Sequence, residues 1–130
     1  MNKLLLITQL LLIALGGALG TLARYATGSL LAVPTGRVGF PFGTLAVNLV
    51  GCFVMGVLQG MFVDRLVQPQ YRQAMLVGFL GGYTTFSSYG WETTAFLQDG
   101  QWARAALNVG ANNVLGIPLV ILGYSVGRAI

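Results

Sequence analysis

The residues with the clearest potential for chemistry lie between Gly81 and Gly90, where the sequence is GGYTTFSSYG inside a long hydrophobic segment. Paired glycines followed by hydroxyl side chains are atypical of a lipid-facing helix, and they predict a helix break at Gly81 and Gly82. Backbone that leaves a helix within a bilayer must be buried in protein or line a polar cavity. The freed carbonyls can hold a cation, and the new helix N-terminus can face an anion. We therefore predict an ion site here, with Thr84 or Thr85 capping the helix that restarts.

Polar and aromatic residues continue past this break at helical spacing. Thr85, Ser88 and Glu92 are three and four residues apart, which predicts a polar stripe on one face. Phe86 and Tyr89 share a neighbouring face. Packing alone also explains the two rings, and a solvated place at the membrane surface also explains Glu92.

Two polar residues in other segments are further candidates. Asn48 is the first strongly polar side chain of its segment. A buried Asn must find partners, so Asn48 either joins helices or donates its amide to a pathway. Arg24 is either an interfacial anchor that extends to the headgroups or a residue of that pathway.

Four membrane-spanning segments must position these residues. Lys3 and Arg24 bracket an uncharged stretch whose length, at about 1.5 Å per residue, matches a hydrocarbon core of about 30 Å. The predicted helices cover residues 4–31, 41–63, 73–98 with a break near 81–85, and 102–127. We expect Pro41 in the first turn of its helix and a kink at Pro118.

Small residues recur at helix-packing spacing in three of these segments. The pairs Gly16/Gly20 and Gly56/Gly60 are each four residues apart, which allows another helix to approach closely. In the last segment a stripe of small and polar residues is expected to face protein and not lipid. Its members are Asn108, Asn112, Gly116, Gly123 and Gly127.

Composition indicates one transmembrane domain over residues 1–130. The chain is 55% hydrophobic and 8% charged, whereas soluble domains carry roughly 25% charge. It has no His, one Cys and three acidic residues, so the usual ligands and bases of zinc and thiol–histidine catalysis are missing and we do not expect an enzyme. Its seven basic residues are scattered, and we expect no nucleic-acid partner.

Charge is almost balanced across the predicted membrane. Four spans put both termini and the connection after Val63 on the same side of the membrane. The basic residues of that side are Lys3, Arg65, Arg72 and Arg128, and those of the other side are Arg24, Arg37 and Arg104. The positive-inside rule needs an excess to set orientation, so we expect insertion both ways round. Four short helices also enclose little volume, which favours a dimer, with an antiparallel arrangement as one option.

Three motifs carry a family resemblance that covers nearly the whole chain. They are GGALGTLARY (residues 16–25), FPFGTLAVNLVG (residues 40–51) and GFLGGYTTFSSYGWET (residues 78–93). In this order, in a four-span protein of this length, they resemble the CrcB (Fluc) family of bacterial fluoride channels.

The resemblance implies an antiparallel, dual-topology homodimer, multi-pass in the bacterial plasma (inner) membrane. Two pores would export fluoride passively from the cytoplasm and so reduce its toxicity. A central structural sodium ion (Na⁺) would be held by the backbone carbonyls of Gly81 and Thr84 from both subunits. Arg24 would lie near the pore entrance and Glu92 near its other end. The implied fluoride pathway comprises Arg24, Asn48, Thr85, Phe86, Ser88, Tyr89, Glu92 and Asn112.

The sequence departs from the family pattern at three positions. Tyr89 stands where members usually have a second phenylalanine, and Asn108 and Asn112 stand near positions where many members have tyrosine and serine. A tyrosine ring edge is still electropositive, so these departures bear on rate and pore detail more than on function.

Two alternatives come from other functional classes. A small dual-topology multidrug exporter needs an intramembrane acid to balance a cationic drug, but the first helix has none and Glu92 follows the break. A non-transporting membrane assembly subunit would use the glycine pairs and Asn residues for packing alone, which leaves the polar cluster at the break without a role.

Overall fold

The computed structural model describes residues 2–31 and 39–130, and this part of the chain is helical with no strand. The expected all-α architecture of four helical segments is confirmed. Pro34, Gly36 and Arg37 of the first connection lie outside the described residues. The helices are α1 (Lys3–Leu30), α2 (Phe42–Val63), α3 (residues 69–83), α4 (Phe86–Gln98) and α5 (Trp102–Ala129).

In the described ranges, α1, α2 and α5 are each long and apolar enough to cross a membrane. The remaining segment is divided into α3 and α4, with Thr84 and Thr85 between them. Large apolar side chains on all these helices face outward, as expected where the surrounding solvent is lipid. The chain is a membrane protein.

The helix boundaries differ from the sequence prediction where proline is involved. Pro41 precedes α2 as its N-cap residue and is not in its first turn. Helix α3 begins at Pro69 and not at residue 73, because proline's fixed φ and missing N–H suit a first helical position. Arg24 lies inside α1, which continues to Leu30.

The break lies within the predicted range of residues 81–85, at its end and not at the glycines. Gly81 remains helical, with φ −63° and ψ −35°, whereas Thr84 (φ −80°, ψ 158°) and Thr85 (φ −148°, ψ 111°) are extended. The prediction that Gly81 and Gly82 interrupt the helix was wrong. Gly82 instead permits close packing, because a Cβ added there would lie 2.5 Å from the carbonyl oxygen of Gly17 in α1.

Two π-helical stretches were not predicted. One, Ala74–Leu80, occupies the middle of α3, and the other, Ala111–Leu115, lies within α5. Such stretches are rare and often occur at functional sites. Helix α5 continues past Pro118, and the wider turn just before it lies where proline removes a helical hydrogen bond.

Helix pairing brings the site together. Helix α1 packs along α3, and α2 packs along α5. A Cβ at Gly56 would meet the carbonyl oxygen of Val120 at 2.2 Å, and one at Gly123 would meet that of Phe53 at 2.2 Å. The predicted glycine faces are therefore confirmed as close helix contacts.

Candidate functional site

The site is built around Asn48, which holds both backbone groups of Thr85 at the break. The Thr85 N–H donates to Asn48 Oδ1 over 2.9 Å, and Asn48 Nδ2 donates to the Thr85 carbonyl over 3.2 Å. Asn48 Nδ2 also donates to Asn112 Oδ1 over 3.0 Å. The Asn48 amide therefore fixes the helix break and joins α2 to α5. This is the first of the two roles considered for Asn48, that of joining helices.

Thr85 in turn starts α4. Its Oγ1 accepts from the Ser88 N–H over 3.2 Å, which is a side-chain cap of an otherwise unpaired helical donor. The Ser88 hydroxyl lies 3.0 Å from the same Oγ1. The prediction that Thr84 or Thr85 caps the restarted helix is confirmed for Thr85, which is buried.

Six of the predicted site residues line one groove of about 300 Å³, which we call the Asn48 groove. They are Asn48, Thr84, Thr85, Phe86, Tyr89 and Asn112. The ring centroids of Phe86 and Tyr89 are 5.4 Å apart with the planes tilted by 58°. Phe86 is 84% exposed, so its ring faces away from the core of the single chain.

Arg24, Thr85 and Ser88 line a second groove of about 300 Å³, the Arg24 groove. Arg24 is half-buried, and its Nη1 lies 3.4 Å from the Thr84 carbonyl oxygen. This contact places the Arg24 side chain at the break, and not free at a membrane surface.

Glu92 lines a third groove of about 280 Å³, together with Thr44. Glu92 Oε1 accepts a hydrogen bond from the Thr44 hydroxyl, while its Oε2 is buried without a hydrogen-bond partner among the described residues. Glu92 is therefore not a freely solvated side chain. The three grooves adjoin, because Thr85 lines the first and second and Thr44 lines the second and third.

The break also leaves carbonyl oxygens that fit a cation. Because the Thr85 N–H donates to Asn48, it does not continue the helical ladder to Gly81. A Cβ at Gly81 would have no atom nearer than 4.0 Å, so this stretch of backbone is open. Among the described residues, the Thr84 carbonyl receives the long Arg24 contact alone, and a carbonyl has two lone pairs. Neutral carbonyl oxygens suit a hard cation, and one chain supplies two of the residues implied for sodium.

Sequence reasoning left several polar contacts of this region unassigned. Thr44 lies four residues before Asn48 in α2, and this spacing alone places both on one face. Asn108 is 0% exposed and donates from Nδ2 to Thr93 Oγ1 over 2.9 Å. Asn113 donates to the Tyr89 hydroxyl over 3.4 Å.

The family described as CrcB-like protein, Camphor Resistance (CrcB), matches residues 11–124, which include every candidate site residue. The chain belongs to the CrcB family. Among its CrcB relatives, the Fluoride-specific ion channel FluC of Maridesulfovibrio salexigens is 43% identical over 124 residues, covering 92% of this chain and 95% of that protein. The protein of the same name from Solibacter usitatus is 49% identical over 118 residues, covering 88% of each. That of Magnetococcus marinus is 43% identical over 123 residues, covering 94% and 99%. The resemblance inferred from the three motifs is confirmed.

Proposed function

We propose that this protein is a fluoride-selective channel that exports fluoride passively from the bacterial cytoplasm and so lowers fluoride toxicity. The observation that carries the proposal is the Asn48 clamp on Thr85, which holds a helix break open beside the exposed rings of Phe86 and Tyr89. The name of the relatives, Fluoride-specific ion channel, supports the choice of ion.

The working unit is an antiparallel, dual-topology homodimer in the inner membrane with two pores. Phe86 supports this assembly, because a pore-lining ring that is 84% exposed in one chain needs a second wall. The open backbone at Gly81 supports a central Na⁺, since a second copy would bring a second pair of Gly81 and Thr84 carbonyls. When bound, that ion supplies positive charge where the two broken helices meet.

Fluoride is small and strongly hydrated, so a narrow path must replace its water with donors. Arg24 attracts the anion to its groove, and the hydroxyl of Ser88 offers a hydrogen bond there. In the Asn48 groove the electropositive edges of Phe86 and Tyr89 face the ion.

Asn48 is a donor that must exchange partners. Both of its N–H groups face oxygen atoms, one on Thr85 and one on Asn112. A passing fluoride replaces the Asn112 oxygen as acceptor and then returns the N–H to it. This exchange keeps the site from holding the ion tightly, which conduction requires.

The test is anion efflux from proteoliposomes loaded with fluoride or chloride, with valinomycin balancing charge and an ion-selective electrode as readout. Rapid fluoride release with negligible chloride release is expected. No fluoride release from a folded, assembled protein would refute the proposal. Drug resistance conferred on cells in that case would favour the exporter, and its absence would favour an assembly subunit.

A further inference from the structure

A continuous hydrogen-bonded chain leads away from the break into the helix pair formed by α4 and α5. Asn48 Nδ2 donates to Asn112 Oδ1 over 3.0 Å. Asn112 Nδ2 donates to Asn108 Oδ1 over 3.2 Å, and Asn108 Nδ2 donates to Thr93 Oγ1 over 2.9 Å. We call this chain the asparagine relay, and its members are Asn48, Asn112, Asn108 and Thr93.

Backbone groups at the two ends of the relay fix the direction in which its hydrogen bonds are donated. The Thr85 N–H can only donate, so it must face Asn48 Oδ1. The Tyr89 carbonyl can only accept, and it accepts a hydrogen bond from the Thr93 hydroxyl over 2.8 Å. The Asn108 carbonyl fixes the middle in the same way, because it accepts from Asn112 Nδ2 over 3.0 Å. No amide of the relay can be turned over without two donors or two acceptors facing each other.

We propose that Asn108 and Thr93 are positioning residues for fluoride conduction, acting through Asn112 on the Asn48 amide. Neither lines the Asn48 groove, whereas Asn112 and Asn48 both do. Asn108 is completely buried, so its N–H has no water to replace Thr93. Cooperative polarisation along such a chain strengthens each bond. The inference rests on the proposed function, because the positioned group serves fluoride.

Thr93 and Thr94 offer a matched pair of substitutions. Both hydroxyls donate to a carbonyl four residues earlier in α4, Thr93 to Tyr89 and Thr94 to Gly90. Only Thr93 also accepts from Asn108, and Thr94 is exposed. Thr93→Val therefore removes the end of the relay, Thr93→Ser retains a hydroxyl, and Thr94→Val removes a hydroxyl outside it.

The experiment measures two quantities on the assembled full-length protein: fluoride efflux per folded channel, and hydrogen exchange at the Thr85 amide. With Thr93→Val we expect efflux about tenfold slower and Thr85 exchange about tenfold faster, because a buried donor is left unsatisfied. Thr93→Ser should restore both, and Thr94→Val should leave both as in wild type. Unchanged exchange at Thr85 in Thr93→Val would show that the relay does not hold Asn48.

Faster exchange with unchanged efflux would limit the relay to a structural role and so also overturn the proposal. If Thr93→Val does not assemble, the double variant Thr93→Val/Asn108→Leu replaces both partners by apolar groups, which is better tolerated than an orphaned donor. It should show the same two changes. Wild-type protein that releases no fluoride would refute the proposed function, and exchange at Thr85 would still decide whether the relay reaches the break.

Discussion

At the scale of single residues, the site separates side chains that hold the break from side chains that would face the ion in the proposed pathway. Asn48 holds the break, because its oxygen and its N–H groups are engaged with Thr85 and Asn112. Phe86 contacts the Tyr89 ring but contributes little to the core of the chain, since it is 84% exposed. Substitutions at the two positions should therefore have different consequences for folding and for conduction.

Replacing Phe86 by Ile should slow fluoride efflux without loss of assembly. Loss of about 1.4 kcal/mol of ring-edge stabilisation of the passing anion would slow conduction about tenfold. Efflux from proteoliposomes and the size-exclusion profile measure the two effects. Trp91→Ile is the control, because Trp91 is an exposed aromatic of the same helix that does not line the Asn48 groove. Equal efflux of wild type and Phe86→Ile would remove the ring from the pathway.

Replacing Tyr89 by Phe should give an active channel, with efflux equal to or faster than that of wild type. The hydroxyl accepts only a long 3.4 Å contact from Asn113, whose amide also donates to the Val109 carbonyl over 2.8 Å. The stability change should be below about 1 kcal/mol, measured by thermal unfolding in detergent. Complete loss of efflux would show that the hydroxyl itself binds fluoride.

At the scale of helices, α2 and α5 approach so closely that their backbones touch through glycine. A Cβ at Gly123 would lie 2.2 Å from the Phe53 carbonyl oxygen, and one at Gly127 would lie 2.1 Å from that of Val57. Backbone cannot move aside as a flexible side chain can, so these positions tolerate no added methyl group without separation of the helices.

The variant Gly123→Ala should therefore lose about 3 kcal/mol of stability, since overpacking a rigid contact forces backbone shifts. Gly110→Ala in the same helix is the control, because a Cβ there meets nothing within 4 Å. Retention of the assembled protein after heating in detergent compares the two. A Gly123→Ala protein as heat-resistant as Gly110→Ala would argue against the tight α2–α5 contact.

Sequence alone predicted the helices well, because the thickness of the bilayer directly constrains the length of apolar segments and the spacing of charges between them. It predicted the range of the break but assigned the break to the wrong residues, because glycine can mark either an interruption or a close helix contact, and Gly82 marks the contact. It also missed the π-helical stretch Ala111–Leu115. The partners of Asn108 depend on the rotation of α5 about its axis, and periodicity does not determine that rotation to within one side chain.

At the scale of the whole molecule, the distribution of charge bears on orientation in the membrane. The connection between α2 and α3 contains Asp64 and Arg65, and Asp64 pairs with Arg128 over 2.6 Å at the end of α5. This ion pair brings the connection and the end of α5 together. Acidic residues contribute little to orientation, which depends on the Lys and Arg residues of each side, and these are almost equal in number here.

Adding two lysines to this connection should bias insertion so that it faces the cytoplasm. Leu66→Lys with Gln68→Lys uses two exposed positions outside the helices. Labelling of tags from each side of the membrane should change from near-equal accessibility in wild type to a strong preference. Leu66→Gln with Gln68→Asn adds no charge and should leave the ratio unchanged. A wild-type protein labelled from one side alone would contradict dual topology.

The pairing of α2 with α5 also affects the order in which helix contacts can form during synthesis. The partner of α1 is α3, whereas the glycine face of α2 is covered by α5, which is synthesised after α3 and α4. The same helix supplies Asn112 to Asn48. A chain synthesised only as far as α4 therefore has an uncovered α2 face and an Asn48 amide without its Asn112 acceptor. In the proposed dimer the pathway is complete only when a second copy supplies the wall beside Phe86.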